Sequence, residues 1–168
     1  MQAIYWVMSW ACHRRCKHCY DDRFRPYVRD DLTRVIGEGQ AAWPAILANL
    51  PDDMSYIDKD GTRKPTLIVL AGGEPLIDGF REELFYPLLE GIQKRWPDVP
   101  PRVAVQTTGD IMTDEHIEGM LARGVKSIAI ASIDDYHVGH QGEGKFRLMD
   151  KVRAQMASAG VHEVSLGG

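Results

Sequence analysis

Four short runs of aliphatic and β-branched residues, at 4–9, 66–71, 102–108 and 125–132, are each followed by a longer stretch that can form a helix. The runs are apolar without clean alternation, the pattern of strands buried on both faces of a sheet. Between the first two, Leu32, Val35, Ile36, Ala42, Trp43, Ile46, Leu47 and Leu50 recur at helical spacing over 30–50. Gly37, Gly39 and Pro44 predict that this helix is divided or kinked. Leu84, Leu88, Leu89 and Ile92 mark a second helix over 80–96. Two more are expected at 114–123 and 146–159, stopped by Gly124 and Gly160. Residues 51–65 are polar, with a turn at Asp60-Gly61. Strands alternating with helices dictate an α/β fold built on a parallel sheet with right-handed crossovers. A fifth strand is expected at 161–166, without a following helix. The chain therefore reads as one domain, 1–168, that ends inside a βα unit and leaves an unpaired strand edge.

Composition narrows the function classes. A content of 44% hydrophobic and 26% charged residues is that of a globular domain able to bury a core without disulfides. The formal net charge is −4 and no basic block stands out, so nucleic-acid binding has little electrostatic support. The apolar start, 1–10, lacks a basic leader and is too short to span a membrane. The three cysteines are odd in number and clustered, which argues against a secreted disulfide framework and for a reducing, cytoplasmic setting.

In parallel α/β sheets, the loops at the carboxyl ends of strands form the active site. Four polar segments fall there: Cys12, Cys16 and Cys19; Gly72-Gly73-Glu74-Pro75; Gln106-Thr107-Thr108-Gly109; and Ser132-Ile133-Asp134-Asp135. Three thiolates leave a four-coordinate site one ligand short. They can hold three irons of a cubane cluster and leave the fourth open to a small molecule. The alternative is a zinc site closed by His13 or His18. Gly72 and Gly73 let backbone approach a ligand and adopt positive φ, and Glu74 offers a charged acceptor for an ammonium group. A plain strand-to-helix connection, with Asp78 as helix cap, is the alternative there. Thr107, Thr108, Ser132 and Asp134 are either ligand contacts or local caps. His137 and His140 lie in a glycine-rich loop and face either substrate or solvent. Arg14, Arg15 and Lys17 put positive charge beside the cysteines, as a solvated loop, a tuning field or a docking face for a reductase.

Cys12-His13-Arg14-Arg15-Cys16-Lys17-His18-Cys19-Tyr20 resembles the cluster loop of the radical S-adenosylmethionine superfamily, C-x3-C-x2-C after the first strand. Gly72-Gly73-Glu74-Pro75 resembles its GGEP motif, and Ser132-Ile133-Asp134 the SxD segment after the fourth strand of peptide-modifying members. The resemblance runs from Ile4 to Gly168. It departs at His13, where related maturases often carry asparagine. It implies a partial (β/α) barrel, about four and a half of six units. It also implies a 4Fe–4S cluster on Cys12, Cys16 and Cys19, and S-adenosylmethionine held by Gly72, Gly73, Glu74, Pro75, His18, Thr108, Ser132 and Asp134. Hydrogen abstraction from a peptide or protein is the first expectation. A small metabolite or RNA substrate and a non-catalytic zinc module are the rivals. A flavodoxin- or ferredoxin-type donor would supply the electron.

Overall fold

A computed structural model of the chain describes residues 1–14, 29–130 and 142–163. Cys16, His18, Cys19, Ser132, Asp134, His137, His140 and the end of the expected fifth strand lie outside the described residues.

Strand β1 (Ala3–Ser9) pairs in parallel with β4 (Leu67–Gly72), β4 with β5 (Arg102–Thr107), and β5 with β6 (Val125–Ile130). The sheet order is β1-β4-β5-β6, so it grows in one direction without reversal. Strands β2 (Ser55–Ile57) and β3 (Arg63–Pro65) form a separate antiparallel hairpin inside the polar 51–65 segment, where the residue pattern predicts a turn alone. Its tip uses Gly61 at φ +78°, and the Asp58 carboxylate accepts from the Asp60 and Thr62 amides at 3.0 and 2.9 Å.

All the helices bury their apolar stripes on one face of the sheet. Ile68 and Leu70 of β4 and Val103 and Val105 of β5 share a core with Ile36 and Leu47 of α1 (Arg29–Asn49). Leu88, Leu89 and Ile92 of α2 (Tyr86–Arg95) join them, as do Ile117 and Met120 of α3 (Asp114–Ala122) and Leu148 and Val152 of α4 (Glu143–Ser158). Among the described residues, the opposite face carries a small buried cluster of Val69, Ala71 and Ala104 with Leu67 against it, while Tyr5 and Val7 of β1 are exposed. A doubly wound sheet would carry helices on both faces. The described residues form a four-stranded parallel sheet with helices packed on one face. Its edge strands β1 and β6 do not pair with each other.

Helix α1 is continuous across Gly37, Gly39 and Pro44, contrary to the expected division. Packing explains one of the glycines. A Cβ on Gly39 would lie 2.0 Å from Leu84 Cδ1, so the absent side chain lets α1 approach the π-helical turn 81–85 that precedes α2. Gly91 of α2 plays the reciprocal part, since a Cβ there would meet the Trp43 ring at 2.6 Å. Gly37 is exposed and has nothing within 4 Å.

The two α1 glycines should therefore respond oppositely to alanine. Gly37→Ala should stabilise the protein by about 0.5–1 kcal/mol, because it only removes backbone freedom from the unfolded chain. Gly39→Ala should destabilise it by about 1–3 kcal/mol through overpacking against Leu84. Urea unfolding of the two variants beside the parent checks both signs.

Candidate active site at the carboxyl end of the sheet

Three segments leave the carboxyl ends of β1, β4 and β5 and bind one another. Strand β1 loses register between Val7 and Ser9, and Ser9 Oγ accepts from the Ala11 amide at 3.0 Å, turning the chain into the cysteine segment. The turn after β4 meets it with backbone. Gly73 N donates to Ser9 O at 3.0 Å and Glu74 N to Ala11 O at 2.8 Å. The approach is close enough to exclude any side chain. A Cβ on Gly73 would sit 1.7 Å from the Ala11 carbonyl oxygen, and one on Gly72 would sit 2.6 Å from Ser9 O. Gly72 alone of the pair takes positive φ, +127°. The glycines expected to admit a ligand thus first of all admit the cysteine segment.

Glu74 is 1% exposed, yet its carboxylate is fully engaged. Oε1 accepts from the Leu76 amide at 3.1 Å and from Thr107 Oγ1 at 2.8 Å. Oε2 lies 2.7 Å from the Thr108 amide, which donates to it, and 2.8 Å from Thr108 Oγ1. The side chain expected to receive a ligand's ammonium is here joined to the end of β5, and Thr107 and Thr108 are its partners.

Asp110, two residues further along the β5 loop, closes the circuit back to the cysteines. Its Oδ2 accepts from His13 Nε2 at 2.9 Å and from Arg14 Nε at 2.9 Å, with Arg14 Nη2 also on the same oxygen. Its Oδ1 is bonded to Thr108 Oγ1. Burial works against an ionised Asp110, but hydrogen bonds from His13, Thr108 and Arg14 outweigh it and hold the carboxyl well below the usual carboxylate range. His13 is the reciprocal case. Burial opposes its charge, and Asp110 with Cys12 overcomes this and pushes it up to about 9.

The Thr108 hydroxyl has one hydrogen but touches two carboxyl groups, Glu74 and Asp110, so it cannot serve both as carboxylates. Burial pushes the Glu74 carboxyl above its ordinary value, against the hydrogen bonds from Thr108, Thr107 and Leu76.

Cys12 is buried, carries no disulfide, and accepts the Arg14 amide on Sγ at 3.4 Å. A cysteine sulfur with an N–H donor at the end of a parallel sheet suits a soft metal or an iron–sulfur cluster. Among the described residues no group of three His, Cys, Asp or Glu side chains is gathered for a metal, Cys16 and Cys19 being outside them. Arg14 is only 14% exposed and is held by Asp110, so it does not present an open docking charge. Neither Asp110 nor the bracketing role of Glu74 and Thr107 was foreseen. The usable signal was a carboxylate just past a strand end, facing a cationic loop at another strand end.

No model of a known protein family matches the chain. The chain is 26% identical over 131 residues to a protein of Methanosarcina barkeri (strain Fusaro / DSM 804) named AdoMet-dependent heme synthase. The alignment covers 78% of this chain and 30% of that protein. No helix among the described residues is long and apolar enough to cross a membrane.

Two outcomes follow from this geometry. Gly73→Ala should cost about 1–3 kcal/mol in urea unfolding, because the conflicting atoms are backbone and cannot rotate away. For Glu74, a folded-state value raised above the ordinary 4.5 means that its contribution is complete below that value and is lost as pH rises through the raised one. The stability advantage of the parent over Glu74→Gln should therefore shrink as pH rises above about 4.5. An advantage that grows as pH rises would contradict the upward shift.

Proposed function

We propose that the chain carries the cofactor-binding part of a radical S-adenosylmethionine enzyme. The observation that supports this most is the backbone bonding of Ser9 and Ala11, which lead into Cys12, to Gly73 and Glu74 of the turn after β4. Chain segments far apart in sequence meet there at the carboxyl end of a parallel sheet. The name of the Methanosarcina relative, which declares a dependence on AdoMet, supports the same reading.

In this proposal Cys12, Cys16 and Cys19 hold a 4Fe–4S cluster, and the backbone of Gly72, Gly73 and Pro75 receives S-adenosylmethionine. Thr108, His18, Ser132 and Asp134 complete the cofactor's surroundings, with Glu74 behind the turn, fixing it from the β5 side. When bound, the cluster and cofactor supply one-electron reductive cleavage of the sulfonium and a 5′-deoxyadenosyl radical. The chain's own part is to hold the thiolates in place, to orient the cofactor by backbone groups that no side chain obstructs, and to surround the site with packed strand ends. A flavodoxin- or ferredoxin-type protein donates the electron.

Two substrate classes are open to such a site. Peptide or protein modification rests on the likeness of the Cys16–Tyr20 and Ser132–Asp135 segments to maturases. A small-metabolite substrate is favoured by the relative, whose name describes heme synthesis. The relative is an observation on aligned sequence, and we take the small-metabolite class as the better supported.

Anaerobic reconstitution should give a brown protein with about four irons per chain and little zinc. Cys12→Ala, Cys16→Ala and Cys19→Ala should each abolish the cluster. A colourless protein with stoichiometric zinc would replace the proposal by the zinc-module reading.

A further inference from the structure

We propose that Asp110 is a positioning residue that presets the Cys12 segment before any metal arrives. It acts through His13 and Arg14, the two residues that follow Cys12. Both of them donate to one carboxylate oxygen from a sequence distance of 96–97 residues. Hydrogen bonds to a carboxylate, above all from a guanidinium, are of the strong class. Their acceptor is itself rigid. Gly109, at φ +77°, turns the chain so that Asp110 faces β1, and a Cβ there would meet Ile130 at 3.1 Å. From the other side, Lys151 of α4 donates to the Asp110 carbonyl at 3.3 Å and to the Met112 carbonyl at 3.1 Å. Gln155 donates to the Met112 carbonyl at 3.3 Å. Thr108 ties the other carboxylate oxygen to the Glu74 bracket.

The device also gives His13 a purpose. Its ring reaches Asp110 through Nε2 at 2.9 Å. Cys12 is therefore flanked on its carboxyl side by two residues anchored to a loop that α4 holds in place. A thiolate ligand fixed in this way loses less freedom on metal binding than one on a free loop. The inference rests on the proposed function only in naming Cys12 as a ligand. The arrangement itself concerns the metal-free chain.

The test is the rate at which iodoacetamide alkylates Cys12 in the metal-free protein under native conditions, followed by mass spectrometry of the Cys12 peptide. Asp110→Ala should accelerate it by about ten-fold or more, since two charge-assisted bonds are lost. Asp110→Asn keeps an acceptor oxygen without the charge and should fall between. Ile117→Val, a core change in α3 of modest cost, controls for general loosening and should leave the rate at the parent value. An unchanged rate in Asp110→Ala, or an equal acceleration in Ile117→Val, overturns the assignment. Reconstituted protein gives a second measure, iron release to a chelator, which should be faster in Asp110→Ala than in Ile117→Val. If the parent takes up no iron at all, the proposed function fails, while the alkylation series still decides the role of Asp110.

Discussion

The buried Glu74 carboxyl group is the joint on which the mouth of this protein depends. It sits at the end of β4, takes hydrogen bonds from Thr107 and Thr108 at the end of β5, and lends its own amide to Ala11 beyond β1. Parallel strands are joined along their length by ladder bonds, but their ends splay where the loops begin. A side chain that spans two such ends, and whose backbone reaches a third, sets the spacing of all three loops. Because the group is buried, leaving any of these positions unmet would carry the full cost of an unsatisfied polar atom. The network is thus complete or unstable, which makes it a rigid frame rather than an adjustable one.

Charge is distributed through this frame in a definite order. Asp110 is held low by hydrogen bonds from His13, Thr108 and Arg14, while burial pushes Glu74, one hydroxyl away, up. Two carboxylates bridged by one threonine could not both ionise in a buried site without strong repulsion. The member pushed up is the one without a basic partner, and the member held low is the one that bonds His13 and Arg14. The separation of roles favours anionic charge at Asp110 over Glu74.

Much of the fold was legible in the sequence because strand burial and helix periodicity are local signals. The strands at 4–9, 66–71, 102–108 and 125–132 appear as β1, β4, β5 and β6 within a residue or two at each end. Residue types at the strand ends pointed to one mouth, and β1, β4 and β5 do bring their loops together. What was misjudged turned on contacts distant in sequence. Gly39 reads as a helix breaker until Leu84 is seen to occupy its missing side chain's place. The Asp- and Lys-rich 55–65 segment lacks strand alternation, and its hairpin follows from the Gly61 turn and the Asp58 cap. Glu74 reads as a ligand group because its partners, Thr107 and Thr108, lie more than thirty residues away. Asp110 carries no motif at all. Its part depends on facing a loop almost a hundred residues earlier.

The central claim is that this mouth holds a cluster with one iron free to bind S-adenosylmethionine. Electron paramagnetic resonance of the anaerobically reconstituted, chemically reduced protein tests it directly, recorded with and without that cofactor. A ligand bound at one iron alters the electronic surroundings of the whole cluster, so the account predicts a signal that shifts in g value and shape when S-adenosylmethionine is added. A cluster signal indifferent to the cofactor, or no cluster signal in protein that retains its thiols, would contradict it.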